Sequence, residues 1–323
     1  MKEKNDIKKA ALLINMGGPT NLNEVSQFMY NLFNDLHIMG TPQPFRSFIA
    51  RIITAFRIRN IKKHYALIGD GSPLRKWTAR QAALVSARLR GKFPGLIVKE
   101  AYSYSPPSIM TAISELVQSG VDTITALPLY PHYATATLGS IYSDLEEARK
   151  KFELGSRLRI MRPFFDDPGY IALSVELFKE ALAKIDVSKP YHVVFSAHAL
   201  PQSFIDNGDP YRQQVERTVE LILKQVPLER YSLSFQSKIG PVTWMRPSTI
   251  ETVKGIGHRD IRQVIIMPIG FVCDHIETLY ELDIELAGHA KEAGIEKFIR
   301  AAVPNDHRAF IEMLASHIEE AMP

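Results

Sequence analysis

The feature that most constrains the fold is an alternation. Eight apolar, β-prone runs recur along the 323 residues, at 10–16, 97–103, 123–129, 157–161, 192–196, 232–236, 264–268 and 297–302. Stretches with helical periodicity separate most of them, among them 22–33, 78–91, 108–119, 170–183, 211–225 and 306–320. Alternating strand and helix predicts parallel sheets with right-handed crossovers. Two sets of four strands predict an α/β chain of two Rossmann-like domains, each a parallel sheet flanked by helices, enclosing a central cleft. The turn-rich stretch Arg162-Pro163-Phe164-Phe165-Asp166-Asp167-Pro168-Gly169 divides 1–165 from 166–323. An internal duplication supports two related halves. Thr125-Ala126-Leu127-Pro128-Leu129 and Ile265-Ile266-Met267-Pro268-Ile269 both close a strand with proline, and the helices 140–146 and 277–283 follow as apparent equivalents. Gly17-Gly18-Pro19 lacks the G-x-G-x-x-G spacing, so no dinucleotide is implied.

Charge and cysteine usage narrow the function classes. Net charge is +4, from 39 basic and 35 acidic residues, too balanced to predict a nucleic-acid partner. Cys273 is the single cysteine, so no intrachain disulfide forms and a reducing compartment is expected. One thiolate cannot hold an iron–sulfur cluster. The polar start Met1-Lys2-Glu3-Lys4-Asn5-Asp6 is no signal peptide, and no apolar run approaches the ~20 residues of a membrane span. A cytoplasmic protein is the expectation.

Two segments place ionisable groups just past a strand's carboxyl end, where open α/β sheets bind ligands. In Val193-Val194-Phe195-Ser196-Ala197-His198-Ala199-Leu200-Pro201, His198 is either a histidine satisfied at a strand end or a base suited to neutral pH. In the segment 267–285, Glu277, Glu281 and Glu285 lie four apart on a predicted α-helix and share a face, with Asp274 one turn earlier. They read as a solvated stripe, or as a ladder that moves protons outward or a metal inward. Its start in the helix's first turn favours the ladder, because the helix dipole stabilises carboxylates there. Neither H-E-x-x-H nor C-x-x-C occurs, so a transient divalent-ion site fits better than a permanent zinc centre.

The motifs as an ordered series resemble the ferrochelatase family. Leu13-Ile14-Asn15-Met16-Gly17-Gly18-Pro19, Ile68-Gly69-Asp70-Gly71-Ser72-Pro73, Leu127-Pro128-Leu129-Tyr130-Pro131-His132-Tyr133, Ser196-Ala197-His198, Gly208-Asp209-Pro210-Tyr211 and Gln236-Ser237-Lys238 through Trp244 are similar to family blocks. The resemblance spans nearly the whole chain. It implies insertion of iron(II) into protoporphyrin IX to form haem, the terminal step of haem biosynthesis, by a lyase with no permanently bound cofactor and with iron(II) as substrate. It implies His198 as proton acceptor, metal ligand or both, paired with Glu277, and a metal path through His198, Glu277, Asp274 and Glu281. It implies a substrate pocket that includes Met16, Arg57, Tyr65, Ser72, Tyr130, Trp244 and His275. Met16 is equally a core thioether, and His275 is more plausibly structural. Some members carry an iron–sulfur cluster; this chain is expected to lack one. Coproporphyrin or cobalt chelation on the same fold, or a non-catalytic tetrapyrrole-binding protein, are the alternatives. Met16 and the run 274–283 are typical of protoporphyrin enzymes. Three positions depart from the family: Asp70 in a glycine position, Ser103 where many members have arginine, and Phe56 in place of one arginine of a pair.

The stretch 44–63 is apolar and basic, with Phe45, Phe48, Ile52 and Phe56 at helical spacing. Two readings stay open. One is a helix packed on its own domain. The other is a lip that touches an anionic membrane, peripheral to its inner face.

Overall fold

The structure is a computed structural model that describes residues 7–238, 240–259 and 261–322. The N-terminal segment 1–6 lies outside them. The strands are β1 (Lys9–Asn15), β2 (Ile97–Tyr102), β3 (Thr123–Pro128), β4 (Leu158–Ile160), β5 (Tyr191–His198), β6 (Tyr231–Gln236), β7 (Gln263–Pro268) and β8 (Lys297–Arg300). All eight expected runs are strands. They form two parallel four-stranded sheets with matching order, β2-β1-β3-β4 and β6-β5-β7-β8. β1, β5 and β7 are buried almost throughout, as parallel strands covered on both faces must be.

The two sheets end alike. Pro128 closes β3 opposite Ile14, and Pro268 closes β7 opposite Ser196. Proline has no N–H for the ladder, so the next residue completes it: Leu129 donates to Ile14 and Ile269 to Ser196. The neighbouring strands repeat the device, with Met161 N–H on the Ala126 carbonyl and Ala301 N–H on that of Ile266. The duplication is real, but the helical equivalence read from sequence is displaced. After each proline-closed strand comes a helix widened to i→i+5 bonding, at Thr135–Gly139 in the first half and Glu277–Leu286 in the second. The counterpart of the carboxylate helix therefore begins at Thr135, before Ser140.

Residues 130–134 and 164–305 form one compact unit, and the remaining described residues form the other. The expected division of 1–165 from 166–323 misassigns the end of the chain. Helix Arg308–Ala321 belongs to the first unit. It buries Phe310, Ile311, Leu314 and Ile318, and it pairs Glu312 with Arg88 at 2.6 Å and Glu319 with Lys92. Strand–helix order alone cannot show that a terminal helix returns to the first sheet.

In the first unit, helix Phe45–Leu67 packs on helix Val25–Phe33 and buries Ala50, Thr54 and Tyr65. Its other face is bare. Phe45, Phe48 and Phe56 are 67, 63 and 84% exposed, and Ile52 is 40% exposed. A 3-4-4 spacing puts them on one stripe. Arg51, Arg59 and Lys63 are exposed on the same helix.

Candidate active site

The second unit brings the two strand-end segments together. His198 is the last residue of β5, in register with Gln236, the last of β6. The Tyr211 hydroxyl donates to the His198 carbonyl at 3.0 Å and fixes the chain as it leaves the strand. Burial, and the Glu277 charge after it, push the Tyr211 hydroxyl's pKa up, so it stays a neutral donor. β7 leads to Gly270, whose φ of +89° suits only glycine, and whose Cβ would lie 3.1 Å from His132 Nδ1. That turn directs the chain through 271–276 into the wide helix.

Thr278, Leu282 and Leu286, each four apart, are the buried line of that helix. Leu282 and Leu286 join the core with Val194, Val264 and Ile266. The carboxylate line sits one residue earlier, at the core's edge. Glu277 is 17% exposed, Glu281 is intermediate and Glu285 is exposed. The carboxylates thus run from the interior to solvent.

Glu277 stands between two imidazoles. Its Oε1 is 3.8 Å from His198 Nε2, and its Oε2 is 3.7 Å from His275 Nε2. Both exceed hydrogen-bond length, so these are charge contacts. Burial alone would raise the Glu277 pKa; the imidazole charges outweigh it and hold the carboxyl below its ordinary range. Glu281 goes the other way. Its burial, and then the Glu277 charge, push its pKa well above the ordinary value. The pair therefore favours one proton, held on Glu281. Ser237 Oγ and Gln236 Nε2 both donate to Glu281 Oε2.

Asp274, expected on the metal path, is committed elsewhere. Its Oδ2 accepts from Asn305 at 2.7 Å, its Oδ1 from Thr278 at 2.9 Å, and Arg300 lies 3.2 Å from Oδ1. Arg300 also grips Asp283 with two bonds, at 2.6 and 2.8 Å. Burial opposes the Arg300 charge, but Asp283 and Asp274 outweigh it and keep the guanidinium protonated. Asp274 braces the loop against the wide helix, with both oxygens already partnered. Removing one partner of such a pair costs about 3–5 kcal/mol when buried.

His275 is buried against Phe271, with ring centres 5.3 Å apart, and its Nδ1 meets no acceptor or donor among the described residues. It contacts Glu277 rather than lining an open surface. Tyr130 and Trp244 are half-buried in this unit. The Trp244 indole N–H is buried with no acceptor among the described residues.

The remaining expected residues lie in the first unit. Met16 is half-buried just past β1. Arg57 stacks over Phe33 at 6.0 Å. Tyr65 is buried, and its carbonyl accepts from Ile68 and Asp70. Ser72 is buried: its N–H donates to the Pro19 carbonyl and its Oγ accepts from the Leu74 N–H at 3.3 Å. Asp70 does adopt the left-handed geometry its glycine position demands, with φ of +66°. Gln236, Ser237, Tyr211 and Arg300 were not singled out from sequence. The first three stand inside the matched motifs, and Arg300 had no signal beyond its place at a strand end.

The raised Glu281 pKa has a consequence for stability. A carboxyl whose folded pKa lies above its unfolded value stabilises fully below the ordinary carboxylate range. That contribution is lost as pH rises toward the raised value. Glu281→Gln mimics the protonated form. It should leave the melting temperature near wild type at pH 5 and raise it at pH 8, as read by thermal unfolding at both pH values. An equal shift at both would refute the assignment.

Comparison with known proteins places this geometry. Residues 8–322 match the family model described as Ferrochelatase. A ferrochelatase of Geotalea uraniireducens is 38% identical over 318 residues, covering 98% of each chain. One from Aquifex aeolicus is 36% identical over 309 residues, covering 95% of this chain and 97% of its own. Among solved structures, SirB from Bacillus subtilis with Fe3+ shares the fold at a TM-score of 0.57 and 13% identity, covering 97% of this chain and 95% of its own. CbiX, described as the terminal enzyme of siroheme biosynthesis in denitrifying bacteria, does so at 0.51 and 15%, covering 98% and 100%. The chain belongs to the ferrochelatase family, lyases that insert a metal ion into a porphyrin.

Proposed function

We propose that this protein inserts iron(II) into protoporphyrin IX, the last step of haem formation. The observation that carries the reading is the half-exposed His198 imidazole facing the buried, ionised Glu277. Metal insertion replaces two pyrrole N–H protons with one divalent ion, so two protons must leave. His198, 34% exposed at its strand end, can take a proton directly from the ring. The line from Glu277 through Glu281 to Glu285 offers a graded path to solvent. The same oxygens suit a hard divalent cation on its way in, with His198 and Glu277 as its nearest ligands and Glu281 behind them. Bending the macrocycle exposes its nitrogen lone pairs, and a site that binds the bent ring better than the flat one converts binding into rate.

No permanently bound cofactor is needed. The sole cysteine, Cys273, is buried and cannot by itself hold an iron–sulfur cluster. Among the described residues no helix is long and apolar enough to cross a membrane. The exposed Phe45, Phe48, Ile52 and Phe56 stripe, with cations beside it, instead supports a peripheral contact with the inner face of an anionic membrane. A lipid-soluble porphyrin would be delivered there, to a protein otherwise in the cytoplasm.

Purified protein offered iron(II) with protoporphyrin IX or coproporphyrin should metallate the first faster. A preference for coproporphyrin, or for cobalt, favours the other chelatases, and binding without insertion favours a carrier. His198→Ala should keep porphyrin binding and lose about 10²–10⁴-fold in turnover, the scale of a lost general base. Near-wild-type turnover would remove His198 from the mechanism.

Phe48→Ser with Ile52→Ser should weaken co-sedimentation with anionic vesicles while the melting temperature changes little. If the stripe is core instead, the pair should cost about 2–5 kcal/mol of stability and leave vesicle binding unchanged.

A further inference from the structure

Below the carboxylates lies a buried polar cluster that the mechanism above leaves without a role. Ser196 on β5, Ser234 and Gln236 on β6, and Thr249 at the start of helix Thr249–Gly257 are all buried. Ser196 Oγ donates to Gln236 Oε1 at 2.7 Å. Thr249 Oγ1 lies 2.9 Å from Ser196 Oγ and 3.0 Å from Ser234 Oγ. Ser234 Oγ reaches the Phe195 carbonyl at 3.3 Å. At the other end of the amide, Gln236 Nε2 donates to the Glu277 carbonyl at 3.1 Å and to Glu281 Oε2 at 3.3 Å.

Donor and acceptor counting fixes this arrangement from both sides. The Glu277 main-chain carbonyl only accepts, so the NH2 end of Gln236 must face the wide helix. The amide oxygen then faces Ser196, whose single proton must go to it. Ser196 is left as an acceptor for Thr249. Flipping the amide would set its oxygen against the Glu277 carbonyl oxygen, inside a buried site where unmet polar groups are costly. A side-chain N–H on a helix carbonyl also competes with the helix's own i→i+4 bond. The competing donor sits at Glu277, where the wide helix begins.

We infer that Gln236, oriented from below by Ser196 and Thr249, is the positioning residue of the carboxylate ladder: one amide ties the main chain of Glu277 and the side chain of Glu281 to the end of β6 and keeps the helix wide. Ser196 and Thr249 touch neither carboxylate and act through the amide alone. The catalytic part of this inference rests on the chelatase reading above; the structural part does not.

The test uses the full chain and three variants. Thr249→Val keeps the shape and loses the hydroxyl, Thr249→Ser keeps the hydroxyl, and Ser196→Ala frees the amide oxygen. Hydrogen exchange should quicken across 277–286 in Thr249→Val and Ser196→Ala. Metal-insertion kcat should fall by about tenfold, the effect of one lost hydrogen bond, with KM for porphyrin within about twofold of wild type. Thr249→Ser should restore both. Wild-type exchange and kcat in Thr249→Val, or a serine variant as impaired as the valine one, would overturn the inference. Should Ser196→Ala not fold, the valine and serine pair decides alone. If the wild type inserts no metal, the chelatase reading fails; unchanged exchange across 277–286 then overturns the positioning claim, and quickened exchange upholds it.

Discussion

The site depends on one arrangement: a carboxylate, Glu277, kept ionised away from bulk water by imidazoles on either side. A buried carboxylate left alone would take up a proton and cease to attract a metal. Here His198 approaches from a strand end and His275 from the loop before the helix. Glu281, four residues on, cannot also ionise freely: its own burial, and then the Glu277 charge, raise its pKa.

Everything around that arrangement serves to place three side chains. The parallel sheet ends β5 and β6 in register, so His198 and Gln236 emerge side by side. Proline at the end of β7 stops the ladder and Gly270 turns the chain. Arg300, Asn305 and Thr278 hold Asp274, which fixes where the wide helix begins. Asp274 ties the loop before the helix to Thr278 within it and to Arg300 at the end of β8. The first unit has the same strand order and its own wide turn at Thr135–Gly139, yet no carboxylate line follows it.

Much of this was legible in the sequence for physical reasons. Buried parallel strands are continuous apolar runs, so all eight stood out, and proline at 128 and 268 marked two of their ends. The strand-end rule drew attention to His198 and Glu277, and their pairing was what the family resemblance implied. The helix geometry was not legible. Residues at i, i+4 and i+8 fit an α-helix well enough that Glu277, Glu281 and Glu285 gave no hint of widening, which needs Gln236 from another strand. The return of helix Arg308–Ala321 to the first unit was hidden for a similar reason, because its partners lie more than two hundred residues earlier.

The central claim is that His198 and Glu277 act as one unit. A double-mutant cycle on metal insertion, with His198→Ala, Glu277→Gln and both together, tests it most directly. Residues that work as a unit are grossly non-additive: losing either one removes nearly all that losing both removes. The account predicts that the double variant is little slower than the slower single one. Multiplying effects, with the double variant slowed by the product of the two single losses, would mean that the histidine and the carboxylate serve separate steps, and would contradict it.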